Sequence, residues 1–160
     1  MAPAFANAPT LSELPKTADA RLAALLSFWL SCQDDAGGIP NREQLTPFTL
    51  RPWLGHISIY QVADDGRDFR VRLEGTKVTG MTGEDWTNRR ASEVDARFGS
   101  TLVHDMAGTV ATGASQILPI RIFQHKFKAA TRLLFPVRAT PNGPVDQVFL
   151  ALYLDRAAAN

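Results

Sequence analysis

The sequence is poor in the features that mark secreted, membrane-spanning and nucleic-acid-binding proteins. Its one cysteine, Cys32, rules out an intrachain disulfide framework and fits a reducing compartment. The N-terminus lacks a basic region followed by an apolar core, and no run approaches the ~18–20 apolar residues of a membrane helix. The net charge of +1 comes without a clustered basic face. We therefore expect a cytoplasmic protein that binds neither nucleic acid nor a membrane.

Patterns of catalytic and metal-binding residues are also scarce. His56, His104 and His125 are far apart in the sequence, and none has a second ligand at the spacing of a metal site. His104 and Asp105 are neighbours, but successive residues of a helix point about 100° apart and cannot easily act as an acid–base pair. We predict that the protein is not an enzyme and that it has no metal site.

Five segments have the composition of β-strands. Ile57–Val62 is rich in β-branched and aromatic residues, and Phe69–Thr76 begins with alternating apolar and charged residues. Five residues that include Gly66 separate them, which predicts an antiparallel hairpin. Three further strands are predicted at residues 116–123, 126–139 and 147–154. The last is apolar on both faces, so we expect it to be central in the sheet and covered on both sides.

Two segments have apolar residues at helical spacing. The first begins near residues 17–19 and ends at the Asp/Gly cluster 34–38. The second runs from 91 to 112 and ends at Gly113. The apolar stripe of the first helix consists of Leu22, Leu25, Leu26, Trp29 and Leu30. We expect an α+β domain over residues 17–156, with its N-terminal helix at 18–32 and a flexible tail at 1–16.

The order of these elements resembles the PAS domain, and the similarity covers about residues 20–155. Several stretches resemble the small stand-alone PAS proteins found mostly in alphaproteobacteria. These are Leu26-Ser27-Phe28-Trp29, Ile39-Pro40-Asn41-Arg42, Leu50-Arg51-Pro52-Trp53-Leu54, Phe69 to Thr76, Thr82-Gly83-Glu84-Asp85 and Arg132 to Pro136. One departure is Trp86-Thr87-Asn88-Arg89, where a smaller apolar residue and a glycine are expected, although Asn88 can adopt the left-handed backbone conformation. The resemblance implies a five-stranded antiparallel sheet with a helical segment on one face and the N-terminal helix on the other. Together with the apolar last strand, it implies that the strands at 56–63 and 147–154 are neighbours at the centre.

The resemblance also implies a sensory or regulatory role. PAS domains bind a small molecule or a protein between the sheet and the helical segment, and they commonly dimerise through the N-terminal helix and the outer sheet face. We therefore expect a homodimer. Because no effector domain accompanies this one, we also expect it to signal in trans through a regulatory protein partner. The alternative is a ligand-free dimerisation domain with a filled core.

The cofactors of other PAS sensors receive little support from the sequence. His104 as an axial haem ligand is a weak hypothesis, because a lone histidine rarely marks a haem site. A flavin photosensor would need a reactive cysteine on the helical segment, and Cys32 lies outside it. The cofactor is therefore unknown.

The implied ligand pocket lies between the inner sheet face and the helical segment. Its predicted walls are Val71, Leu73, Met106, Val110, Leu133, Phe135 and Leu150, with Trp86 as a lid. Arg72 or Thr76 is expected to supply a polar contact to a mainly hydrophobic ligand. Arg132 stands out within an apolar strand. Because burying an unpaired charge is costly, it must either face solvent or have a specific partner.

Overall fold

The computed structural model describes residues 10–124 and 126–156. The helices are α1 (Ala20–Ala36), α2 (Thr76–Thr82), α3 (Ala91–Phe98) and α4 (Leu102–Thr112), and the strands are β1 (Ile57–Ala63), β2 (Asp68–Leu73), β3 (Gln116–Gln124), β4 (Lys126–Arg138) and β5 (Val145–Leu154). Short 3-10 turns occupy Leu11–Glu13, Arg51–His56 and Asp64–Gly66. Most of the predicted tail, and His125, lie outside the described residues. No helix within the described ranges is long and apolar enough to cross a membrane.

The five strands form one antiparallel sheet in the order β2-β1-β5-β4-β3. The predicted central position of β5 beside β1 is confirmed. Alternate β5 residues enter two different cores, Phe149 on one face and Leu150 on the other, which explains why the strand is apolar throughout. Pro119, which lacks an N–H, lies in the edge strand β3, where an unpaired side is available.

The helix α1 covers one face of the sheet, which we call the outer face. The Asp19 carboxylate accepts the N–H of Arg21 at 2.9 Å and begins the helix, and Gly37 ends it with a φ of 64°. Leu22 and Leu26 are fully buried, and the Trp29 ring stacks on Phe135 of β4 at 5.4 Å. The predicted apolar stripe therefore packs on the sheet, and α2, α3 and α4 lie on the opposite, inner face.

The prediction of one helix over 91–112 is wrong, because the segment forms two helices. Gly99 has a φ of 67° and ends α3. The Asp95 carboxylate then accepts the N–H of Leu102 at 2.7 Å and that of Val103 at 3.0 Å, which satisfies the first turn of α4. Because a side-chain acceptor and a glycine replace a continuous helical turn, the chain bends at 99–101.

The predicted second strand is also too long. It ends at Leu73, and Thr76 begins α2 instead of completing the strand. Gly75 between them is buried against the preceding segment: a Cβ there would lie 2.7 Å from the Ile57 carbonyl oxygen. The close packing of backbone on backbone therefore turns the chain from the sheet into the helical segment.

Candidate functional site

A cavity of about 550 Å³ lies between the inner face of the sheet and the helical segment. Its volume falls within the ~300–1,000 Å³ of small-molecule sites. Phe98 and Phe127 line it and are 41% and 62% exposed, so they mark its mouth. Apolar side chains make up much of the wall: Val78, Val94, Leu102, Ile120, Ile122, Leu150 and Leu152.

Arg132 contributes a buried cation to this cavity. It projects from β4, where Leu118 of β3 and Leu152 of β5 are its neighbours in the sheet, and it is only 7% exposed. Its Nη2 lies 2.6 Å from Oδ2 of Asp105 on α4. Of the two alternatives for Arg132, solvent exposure or a specific partner, the second is therefore the correct one, and the partner is Asp105. Burial nevertheless lowers the pKa of Arg132, and the attraction of Asp105 opposes that shift.

The pairing leaves part of the guanidinium unsatisfied. The Nε atom of Arg132 is buried and has no hydrogen-bond partner among the described residues. Tyr60, from β1, also lines the cavity and is 4% exposed. Burial raises the pKa of its phenol, so the side chain is a neutral hydroxyl at physiological pH.

Trp86 and Glu74 form the wall near α2. The Trp86 backbone N–H donates to Oε2 of Glu74 at 2.5 Å, and the indole meets the Phe98 ring edge-on at 5.9 Å. Trp86 Nε1 is buried without a partner in the described part of the chain. Burial raises the pKa of Glu74, although the hydrogen bond from Trp86 acts in the other direction.

The predicted site residues divide into three groups by position. Trp86 and Leu150 line the cavity. Val71, Met106 and Val110 pack in the inner core beneath it without lining it. Leu133, Phe135, Leu73, Arg72 and Thr76 lie elsewhere.

The placement of Leu133 and Phe135 on the inner face was wrong. Both lie in the outer core under α1, because Arg132 and Leu134 take the inward positions of β4. Successive side chains of a strand point to opposite faces of the sheet, so an error of one residue assigns every side chain of the strand to the wrong face.

The placement of Leu73, Arg72 and Thr76 at the cavity was also wrong. Ile59 pairs with Leu73 while Tyr60 pairs with Val71, so β2 carries one extra residue at this point. This bulge turns Leu73 to the side of Ile59, and Leu73 is 44% exposed. Arg72 and Thr76 are exposed too, and neither lines the cavity.

Sequence reasoning missed most of the polar lining. Tyr60, Glu74 and Arg97 each carry a polar group to the cavity. The available signal was Arg132: a cation on the inner face of β4 places its sheet neighbours Leu118 and Leu152 on that face as well.

Comparison with known proteins identifies the family. The sequence matches the profile of the PAS domain over residues 18–146. The chain belongs to the PAS domain family. No curated protein matched the sequence. Among solved structures, a light-oxygen-voltage domain studied with a flavin analogue is 11% identical, with a TM-score of 0.51 over 68% of this chain and 84% of its own. A Rhodobacter sphaeroides LOV protein is 13% identical, with a TM-score of 0.46 over 61% of this chain and 57% of its own.

In this PAS domain the residues considered for cofactor chemistry lie away from the cavity. Cys32 lies on α1 and is buried in the outer core, where burial raises the pKa of its thiol. His104 is exposed on α4 and is not part of the cavity lining. Within residues 10–124 and 126–156, no three His, Cys, Asp or Glu side chains are grouped as a metal site.

Proposed function

We propose that this PAS domain is a sensory or regulatory module that binds a small molecule in the inner-face cavity. The observation that carries the proposal is the cavity itself, about 550 Å³, with apolar walls and a few buried polar groups. A core filled for structural reasons alone excludes voids much larger than a water molecule, whereas a binding site retains them. Val78 of α2, Val94 of α3 and Leu102 of α4 line the cavity, so an occupant would contact all three helices.

We further propose that occupancy is passed on by association, in the cytoplasm and without catalysis. The apolar stripe of α1 is already buried on its own sheet, with Leu22 and Leu26 fully covered. A homodimer or a protein partner would therefore use other surfaces. Phe48, which is 81% exposed, and Leu54 are candidates near the start of the sheet. Light scattering of the purified protein with and without bound compound tests for a change in assembly.

Ligand binding is tested by extraction of the purified protein and a thermal-shift screen of small metabolites. Ile120→Trp should fill the cavity and abolish binding, whereas Ile117→Trp on the outer side of the same strand serves as the matched control. We expect at least one compound that stabilises the wild type and the control but not Ile120→Trp, because a ligand stabilises only the state that binds it. If no compound meets that criterion, the proposal is wrong and the ligand-free interaction domain takes its place.

A further inference from the structure

The cavity lining contains more cations than anions. Three arginines line it, Arg97, Arg121 and Arg132, against one acid, Glu74. Arg97 pairs with Glu84 at 3.1 Å, and the Arg121 guanidinium lies over the Phe127 ring at 5.4 Å. These two arginines are exposed and lie near the mouth of the cavity, whereas Arg132 is buried.

Two buried donors of the lining lack an acceptor. These are Arg132 Nε and Trp86 Nε1, neither of which has a partner in the described residues. Nearly all buried polar groups in folded proteins are hydrogen-bonded. Eight buried side-chain atoms of the described residues lack a partner, and these two belong to residues that line the cavity, so they are the donors that an occupant would engage. Glu74 is already engaged, because it accepts the Trp86 backbone N–H.

The chemistry of the donors favours a carboxylate as that group. Arginine presents planar N–H donors that match a carboxylate, and a hydrogen bond to an ionised acceptor is stronger than one to a neutral acceptor. Asp105 occupies only Nη2 of Arg132, and burial of the guanidinium is incompletely compensated. A second negative charge, such as that of a phosphate dianion, would meet Glu74 in the same lining.

The walls next to Arg132 define the rest of the molecule. Leu152 is its direct neighbour on β5, Leu150 follows on the same face, and Ile120 and Ile122 lie on the same face of β3. Ile120 and Ile122 lie between the buried cation and the mouth at Phe127, Leu152 is level with the cation, and Leu150 lies on its other side. An occupant with an acidic head and an apolar body satisfies both parts of the cavity.

We propose that the cavity binds a monocarboxylate with an apolar body, whose head accepts hydrogen bonds from Arg132 and Trp86 and whose body packs on Leu152, Ile120 and Ile122. The inference deepens the proposed function and rests on it.

The test compares decanoate with decanol, decylamine and decyl phosphate by calorimetry and thermal shift on the full chain. Decanoate should bind about tenfold or more tightly than decanol, because its head gains charge-assisted hydrogen bonds. Arg132→Met/Asp105→Leu removes the whole ion pair without leaving a lone buried charge, and Trp86→Phe removes only the indole N–H. Both should reduce the preference for decanoate and leave the affinity for decanol nearly unchanged.

Arg67→Met is the matched control, because it removes one exposed positive charge outside the cavity. It should retain the preference for decanoate. Equal affinity for decanoate and decanol in the wild type, or tighter binding of decylamine or decyl phosphate, would overturn the carboxylate inference while the proposed binding function stands. If the metabolite screen also finds nothing that Ile120→Trp excludes, the proposed function itself fails.

Discussion

The ion pair between Arg132 and Asp105 gives the sharpest test of how this domain is held together. Replacing Arg132 by methionine leaves the Asp105 carboxylate, which is 15% exposed, without its cation. Removal of one partner from a buried pair costs about 3–5 kcal/mol. The Thr101 hydroxyl, which donates to Asp105 at 2.8 Å, only partly replaces the guanidinium. Since a whole domain is stable by about 5–15 kcal/mol, Arg132→Met should lower the free energy of unfolding by a large fraction.

Replacing both members should be far less damaging. Arg132→Met/Asp105→Leu exchanges the pair for apolar side chains, and such exchanges are often neutral or stabilising. The stability losses of the single variants Arg132→Met and Asp105→Leu, added together, should therefore exceed the loss of the double variant by several kcal/mol. Urea unfolding with tryptophan fluorescence measures each free energy of unfolding. Arg97→Met is the matched control: its pair with Glu84 is exposed, at 57% and 38%, and should contribute about 0–1 kcal/mol. Single losses that simply add in the double variant would refute the coupling of Arg132 to Asp105.

Two further predictions concern the turn from the sheet into α2. Burial raises the pKa of Glu74, so the ionised side chain lowers the free energy of unfolding once the pH has risen through that raised pKa. Glu74→Gln should therefore unfold at a higher urea concentration than wild type at neutral pH, and at the same concentration well below pH 4.5. The same pH dependence in both proteins would contradict this. Gly75→Ala should cost about 1–3 kcal/mol, because its Cβ would lie 2.7 Å from the Ile57 carbonyl oxygen. Gly80→Ala, with nothing within 4 Å, should instead raise stability by about 0.5–1 kcal/mol, and calorimetry of both variants compares the two.

The inner site was only partly predictable, because facing direction depends on register. Leu133 and Phe135 are as apolar as Leu134, and local sequence cannot tell which of them points to the helices. The extra residue in β2 likewise arises from the pairing of Ile59 with Leu73 and of Tyr60 with Val71, which no local pattern shows. Side-chain facing is therefore a property of strand pairs rather than of single strands.

The five strands, the first helix and the central position of the last strand could be predicted from local sequence alone. The double-sided apolar pattern of residues 147–154 requires a central strand, and the stripe of α1 requires a sheet to cover. Asn88 and Gly113 adopt the positive φ that their residue types allow, 69° in both cases. Local conformation and burial follow from properties of neighbouring residues, so the sequence carries them.

The polar character of the cavity depends on contacts between residues that are far apart in the sequence. It brought Asp105 to Arg132 across 27 positions of sequence, and it placed Trp86 beside Glu74 and Phe98. The break between α3 and α4 opens at Gly99 because Asp95 supplies acceptors to the next helix. These contacts depend on how distant segments meet, and the cost of leaving a buried charge or N–H unpaired makes them decisive.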